Sequence, residues 1–139
     1  MEPATISSKD GRGARVNWVR CRHWIEAALA RSPGFESIED IEQRVESGEY
    51  IFFAGRDCAA ICSIEDYCQK RAFVIQHAGG DPESPIFDLI SELDPFMCDF
   101  ARSAGCDLIM EKGREGWKPI LEKHGYRVGY IAMIKNLYS

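Results

Sequence analysis

Long apolar runs are missing from this sequence, and positive charge is scarce. No run approaches the roughly 18 to 20 residues that a helix needs to cross a bilayer, so we expect no membrane partner. Residues 1–4 lack the basic and then apolar layout of a signal peptide, which predicts a cytoplasmic protein. Basic residues number 17 against 22 acidic ones. Because nucleic-acid binding depends on neutralising phosphates with Lys and Arg, a nucleic-acid partner is not expected.

Closely spaced metal ligands are also missing. The six cysteines lie mostly inside apolar runs and are predicted to be reduced, buried, small hydrophobic side chains; they are Cys21, Cys58, Cys62, Cys68, Cys98 and Cys106. The one tight pair, Cys58 and Cys62, falls in a strand-like run, where positions four apart are too distant to share a metal easily. We therefore expect no metal cofactor.

The length and the composition fit one globular domain. The chain has 139 residues, of which 45% are hydrophobic and 28% are charged. This balance is typical of an ordinary folded protein with one core. We expect a single domain over residues 1–139, in which residues 1–14 form either a flexible tail or a weak first strand near Thr5 to Ser7.

The apolar spacing predicts two helices followed by a three-stranded meander. The first helix begins at Asn17 as its cap and ends before Pro33-Gly34, and the second spans Ser37 to Glu46, with Ser37 and Asp40 placed for a capping box. The pattern then changes to short β-type runs. These runs are Tyr50–Ala54, Cys58–Ile64 and Ala72–Ala78.

The C-terminal half predicts a crossover helix between two parallel strands. A long helical stripe lies between Gly79 and Cys106, with a kink or two abutting helices expected near Leu93 because of Pro95. Such a connection makes the strands of Ile75 and Leu108 parallel neighbours. The remaining elements are a strand at Cys106–Met110, a helix at Gly116–Lys123 and a long final strand at Tyr126–Leu137.

Several short stretches of the C-terminal half resemble a known family. They are Phe100–Cys106, Gly113–Trp117, Leu121, His124–Tyr126 and the run to Lys135. They resemble the acetyltransferase-like proteins of tailed phages and, more widely, the GCN5-related N-acetyltransferase (GNAT) superfamily. The resemblance covers roughly Tyr50 to Leu137. It implies an α+β fold, namely a single GNAT-like domain with a mixed, mostly antiparallel sheet flanked by helices on both faces.

The resemblance also implies an acyl-CoA-dependent N-acetyltransferase that uses acetyl-CoA. Members of the superfamily hold the cofactor diphosphate on a Gln/Arg-x-x-Gly-x-Gly/Ala turn at a helix N-terminus. The matching positions place the cofactor at Ile75, Gln76, Ala78, Gly79 and Gly80. However, Asp81 stands where the family has Gly or Ala, and Pro82 and Pro85 remove N–H donors. The alternative is an ordinary Gly-Gly loop.

Arg114 is a further anion-binding candidate. It lies between Gly113 and Gly116, where an arginine can grip an acidic group such as that of the cofactor. The alternative is structural, with Arg114 paired to a local carboxylate and Trp117 packing the short helix onto the sheet.

Amine acetylation needs a base for the attacking amine and a proton donor for the departing thiolate. The candidate bases are Glu65, with its neighbour Asp66, and His77, at predicted strand ends, and the candidate donor is Tyr126 or Tyr130. Solvated turn residues and a hydrogen-bonded structural histidine remain the alternatives for the bases. A cysteine nucleophile paired with His77 is the other enzyme class considered, although no nucleophile motif accompanies Cys58, Cys62 or Cys68.

The alternative to an enzyme is a non-enzymatic, virion-associated or protein-binding module on the same fold. Exposed aromatic residues would then be interface anchors, and a homo-oligomer or a virion assembly would be the partner state. A phage-encoded chain of this kind would reside in the host cytoplasm or in the virion.

Overall fold

Five strands form one mixed sheet in a computed structural model that describes residues 5–6, 11–112 and 117–138. Strand order follows chain order, with β1 and β2 antiparallel, β2 and β3 antiparallel, β3 and β4 antiparallel, and β4 and β5 parallel. The strands are β1 (Thr5–Ile6), β2 (Ile51–Ala54), β3 (Cys58–Asp66), β4 (Arg71–Gly80) and β5 (Leu108–Glu111). The predicted meander is confirmed, and its last two strands are longer than the sequence indicated.

In the described part of the chain, four helices accompany the sheet: α1 (Gly11–Leu29), α2 (Ile38–Glu46), α3 (Ile86–Ser103) and α4 (Lys118–Lys123). The capping box before α2 is confirmed, since the Ser37 hydroxyl accepts from the Asp40 N–H and the Asp40 carboxylate accepts from the Ser37 N–H. The predicted start of α1 at Asn17 is wrong by six residues. Its first turns include Gly11 and Gly13, which are poor helix formers and concealed the helix in the sequence.

The two faces of the sheet bury separate clusters. On the α3 face, the cluster consists of Phe53, Cys58, Ala60, Cys62, Phe73 and Ile75 from the sheet and Leu93, Met97 and Ala101 from α3. On the other face, it consists of Cys21, Ile25 and Ile41 from α1 and α2 together with Tyr50, Phe52, Ala54, Ala59 and Ile61. Along β3, even and odd positions alternate between the clusters, as a pleated strand requires. The expected mixed sheet with helices on both faces is confirmed.

The crossover between β4 and β5 is confirmed as well. Ala72 is opposite Leu108, and Val74 is opposite Met110. The prediction of two abutting helices is wrong, because α3 runs unbroken through Pro95. A proline removes a single backbone N–H from the helical hydrogen bonds, and the apolar stripe on either side keeps both halves of α3 against one cluster.

At the N-terminal end, the weak-strand alternative is correct for Thr5 and Ile6, which pair with Ala54 and Phe53. The tail alternative is wrong for residues 11–14, which belong to α1. Residues 1–4 and 7–10 lie outside the described part of the chain. No helix in the described part is long and apolar enough to cross a bilayer.

The predicted final strand at Tyr126–Leu137 is wrong. Residues 126–136 have no regular secondary structure and form no ladder with the sheet. The apolar alternation of this segment is real, but a strand also needs a hydrogen-bonded neighbour. Instead, large apolar side chains such as Ile131, Met133 and Leu137 are exposed.

Candidate functional site

The two parallel strands, β4 and the edge strand β5, separate midway along β4. Their pairing begins at Ala72 with Leu108 and ends at Ile75 with Glu111. The Lys112 N–H donates the last backbone bond, to the Ile75 carbonyl at 3.2 Å. Beyond Ile75, residues 77–80 pair with β3 alone. The edge of β4 that faces away from β3 is therefore free of strand partners there, within the described residues.

A β-bulge in β4 marks this point. Cys62 is opposite Ile75 and Ile61 is opposite His77, so Gln76 is an extra residue in β4. A bulge of this kind turns two consecutive side chains to one face of the sheet. Gln76 bonds to Ser63 and His77 bonds to Glu36, both on the side of α1 and α2. Ala78 then returns to the α3 side, where it packs on the core.

The gap between the parted strands is a narrow, mostly apolar cleft with a cavity of about 60 Å³. Of the predicted cofactor residues, Ile75, Ala78, Gly79 and Gly80 line the cleft, and Gln76 does not. The predicted proton donor Tyr126 lines it too. Trp117, which was predicted to pack the short helix onto the sheet, lines the cleft as well. The rest of the wall consists of residues that the sequence analysis did not assign to the cofactor site: Cys58, Ala59, Ala60, Leu89, Ile90, Leu93, Asp94, Met97, Glu111 and Leu121.

Gly79 and Gly80 belong to a strand and not to a turn. The prediction of a turn from Gln76 onward is wrong, because β4 continues to Gly80 opposite Cys58. A Cβ on Gly79 would lie 2.4 Å from the Trp24 carbonyl oxygen of α1. A Cβ on Gly80 would lie 2.6 Å from the Asp57 carbonyl oxygen. Close backbone packing on both faces of the sheet accounts for the two glycines.

The actual turn between β4 and α3 offers few hydrogen-bond donors. The Asp81 N–H donates to the Asp57 carbonyl at 2.7 Å, the Glu83 N–H to the Asp81 carboxylate at 2.9 Å, and the Ser84 N–H to the Asp81 carbonyl at 3.0 Å. Pro82 and Pro85 have no N–H. Every backbone donor of residues 81–85 is thus occupied or missing. Anion cradles need unpaired N–H groups at a helix N-terminus, and this turn does not supply them.

The structure does not bring the predicted catalytic residues together. Glu65 lies near the exposed end of β3, where its carboxylate accepts from the Tyr67 hydroxyl at 2.7 Å and from the Gln76 amide at 3.4 Å. His77 contacts Glu36, with 2.9 Å between its Nε2 and a carboxylate oxygen. Both side chains lie on the α1 and α2 side of the sheet, whereas Tyr126 lies in the cleft on the other side.

A hydrogen-bonded cluster holds His77 in place. The Glu36 carboxylate also accepts from the Tyr50 hydroxyl at 2.7 Å and from Arg44. Burial alone would raise the pKa of Glu36, but hydrogen bonds from His77, Tyr50 and Arg44 outweigh it and lower the pKa below its usual value. The cluster ties β4 to the segment before α2, which fits the structural alternative for His77.

In the cleft, the Tyr126 hydroxyl donates to the Asp94 carboxylate of α3 at 2.8 Å. Burial, together with this hydrogen bond, raises the pKa of Tyr126 above its ordinary range. The hydroxyl therefore keeps its proton at every physiological pH. This bond also fixes the start of the C-terminal segment against α3.

Glu111 is one of the cleft residues that the sequence did not reveal. It is the last residue of β5, and although the residue keeps some exposed surface, protein atoms enclose its carboxyl group. Burial raises the pKa of this carboxyl to about 8. Within the described residues it has neither a hydrogen bond nor an ion pair. The sequence feature that could have indicated it is an acidic residue directly after the apolar run Leu108-Ile109-Met110.

The cysteine-nucleophile alternative has little support. Burial raises the pKa of both Cys58 and Cys62 well above the usual value for a thiol, so the reactive thiolate form is scarce. Cys68 is exposed, which corrects its expected burial. In the described ranges no group of three or more His, Cys, Asp or Glu residues is arranged to hold a metal ion. Arg114 lies outside the described residues.

The architecture, with β4 and β5 parallel around a crossover helix and parting beyond Ile75, is the fold of the GCN5-related N-acetyltransferases. The chain is similar to an acetyltransferase from Trypanosoma brucei at 16% identity and a TM-score of 0.65, over 96% of this chain and 98% of that one. It is also similar to glucosamine-6-phosphate N-acetyltransferase from Arabidopsis thaliana at 16% identity and a TM-score of 0.63, over 99% and 100%. No protein-family model matches the chain, and no curated protein matches it in sequence.

A third similar structure contains the cofactor. It is a predicted acetyltransferase with acetyl-CoA from Clostridium acetobutylicum, at 12% identity and a TM-score of 0.66, over 99% of this chain and 97% of that one. At these identities the likeness shows a shared fold. What this chain binds must be argued from its own residues.

The packing role of Gly79 is testable by stability. Gly79→Ala places a methyl group against the Trp24 carbonyl, and we expect the free energy of unfolding to fall by about 1 to 3 kcal/mol. Gly129→Ala is the matched control, because its Cβ would meet no atom within 4 Å, and we expect a change within about 0.5 kcal/mol. Urea denaturation measures both. Equal effects at the two positions would show that close packing is not what requires glycine at position 79.

Proposed function

We propose that this protein is an acyl-CoA-dependent N-acetyltransferase that takes the thioester arm of acetyl-CoA between β4 and β5. The observation that carries the proposal is the parting of these strands after Ile75. It leaves a strand edge without strand partners beside an apolar cleft. An extended amide-containing chain is the kind of ligand that such an edge accepts, because backbone groups can bond to it as a neighbouring strand would.

The walls of the cleft suit the acyl end of the cofactor. Ile75 and Ala78 present apolar surface to the cleft. When bound, acetyl-CoA supplies an activated acetyl group as a thioester. The residues of the chain would orient it, exclude water, and handle one proton at the amine and one at the sulfur. Tyr126, the donor proposed from the sequence, lies at the cleft wall, where its hydroxyl donates to Asp94.

The diphosphate half of the cofactor is not accommodated in the expected way. The donors of residues 81–85 are used within the protein, and Asp81 adds a negative charge beside them. The cavity of about 60 Å³ is also far smaller than the roughly 300 to 1,000 Å³ typical of ligand sites. We therefore propose that affinity comes mainly from the arm, with the short helix α4 moving outward to admit it. The acceptor is an amine whose identity these residues do not specify.

Cofactor binding by the cleft can be tested by thermal shift and calorimetry. A ligand that binds only the native state, at 100 times its Kd, adds about 2.7 kcal/mol of stability. We expect acetyl-CoA to raise the melting temperature of the wild type, and Ala78→Leu to abolish the rise by filling the cleft. Ala132→Leu, at an exposed position of the C-terminal segment, is the control and should keep the rise. No rise in the wild type at millimolar acetyl-CoA contradicts the proposal.

A second candidate is a binding module that lacks transfer chemistry. The occupied donors of residues 81–85 favour it, and so does the C-terminal segment, residues 126–138, in which Ile131 is 78% and Met133 is 92% exposed. Monomeric proteins rarely leave such apolar stretches uncovered. The segment carries only basic charges, Arg127 and Lys135, in a chain that is acidic overall. In this candidate a second copy of the chain covers the segment; a virion protein is the phage-linked version suggested by the sequence resemblance.

Self-association distinguishes the second candidate. Size-exclusion chromatography with light scattering should give a dimer for the wild type and a monomer for the double variant Ile131→Asp, Met133→Asp, because two buried charges would oppose the interface. Val19→Asp, which changes a 77% exposed apolar residue on α1, should leave the dimer intact. A wild-type chain that is monomeric at high micromolar concentration excludes self-association through this segment.

A further inference from the structure

Glu111 stands at the junction of the cleft. It is the residue opposite Ile75, where the last β4 and β5 pair closes and the strands begin to part. Its side chain forms part of the cavity wall together with Ala78 and Tyr126. Both ends of the proposed reaction, the acyl group and the incoming amine, would meet near this junction. A polar group at this position is therefore close to the chemistry.

The surroundings of Glu111 supply no compensating positive charge within the described residues. Facing it are the neutral Cys62 thiol of β3 and the Tyr126 hydroxyl, both electrostatically linked to it. The Asp94 carboxylate of α3 shares the cavity wall and is occupied by Tyr126. The neighbouring Lys112 ammonium bonds to the Gln76 side chain at 3.2 Å and not to Glu111. A buried carboxyl without a partner costs stability, and such groups concentrate at functional sites.

We infer that Glu111 is the general base that takes the proton from the acceptor amine, an inference that rests on the proposed acetyltransferase function. Glu65 and His77, the bases suggested by sequence, point to the other side of the sheet and already have partners. Glu111 is the carboxyl that lines the cleft without a hydrogen bond among the described residues. Its position thus fits a group that must accept a proton during the reaction.

The step balances with the residues at hand. The amine nitrogen bonds to the thioester carbonyl carbon, and one N–H proton passes to the Glu111 carboxylate. The carbon–sulfur bond breaks, and its electron pair leaves with the sulfur as the thiolate of coenzyme A. The thiolate takes up a proton from solvent and Glu111 releases one to solvent, so the products are the amide and free coenzyme A.

The protonation of Glu111 predicts a specific pH dependence. The base acts in its ionised form, and burial raises its pKa to about 8, so the rate should rise as the pH passes through about 8 and level off above it. Stability should move in the opposite direction. Because the folded state holds this proton more tightly than the unfolded chain does, the stabilisation is complete below the ordinary carboxyl pKa and is lost as the pH rises through 8.

The test compares the rates of Glu111→Gln and the wild type at pH values around 8. The substrates are acetyl-CoA and hydroxylamine, a small amine that is uncharged at these pH values. Release of free thiol reports transfer, corrected for the uncatalysed reaction. We expect Glu111→Gln to lower the rate at least about 100-fold and to remove the rise near pH 8, while acetyl-CoA affinity stays unchanged. Glu111→Asp should retain more activity than Glu111→Gln. The control Glu122→Gln, at an exposed position of α4, should match the wild type.

Two further readouts separate the outcomes. Between pH 5 and pH 9, the melting temperature should fall by more in the wild type than in Glu111→Gln. This readout does not depend on activity. If Glu111→Gln binds acetyl-CoA and releases thiol at the wild-type rate, Glu111 is not the general base. The acetyltransferase proposal would still stand. A wild type that neither binds acetyl-CoA nor releases thiol would overturn both. A Glu111→Gln variant that binds acetyl-CoA normally is folded, so its loss of rate is a loss of chemistry.

Discussion

Strand β4 pairs with β3 from Arg71 to Gly80, with Gln76 as an extra residue, but it pairs with β5 only as far as Ile75. The pairing with β5 stops because β5 ends at Glu111, and the bulge at Gln76 lies at the same place. A bulge bends its strand, so β4 changes direction just where its parallel partner ends. The cleft lies beside this point, and Glu111 lines it.

The same bulge divides the polar side chains of β4 from the cleft. By turning Gln76 and His77 to the α1 and α2 side, it commits them to Ser63 and Glu36 and keeps the cleft wall apolar. Among the described residues that line the cleft, burial raises the pKa of Glu111 and of Tyr126. Low polarity is the condition under which a single carboxyl can have a pKa close to the pH at which it works.

Much of the fold could be predicted from sequence because local patterns carry it. The Ser37 and Asp40 capping box, the meander and the crossover helix each depend on residues close together in the chain.

The site was harder to predict, since it depends on the pairing register between strands. Gly79 and Gly80 resembled a turn, but the ladder with β3 extends through them. The Trp24 carbonyl leaves no room for a Cβ at Gly79, and the Asp57 carbonyl leaves none at Gly80. Glu111 could be recognised as a cleft residue only once its pairing partner in β4, Ile75, was known. The C-terminal segment has the alternation of a strand, but alternation does not supply a neighbour.

The most direct measurement of the parted strands is solution NMR on the backbone amides of the ligand-free protein. Separation of the strands after Ile75 predicts cross-strand contacts from the pair Ala72 and Leu108 to the pair Ile75 and Glu111. It also predicts slow hydrogen exchange of the Lys112 N–H, which is bonded to the Ile75 carbonyl. It predicts no such contacts from residues 77–80 to residues 117–138. Pairing of residues 77–80 with residues 117–138, or the absence of contacts between Ile75 and Glu111, would contradict the account.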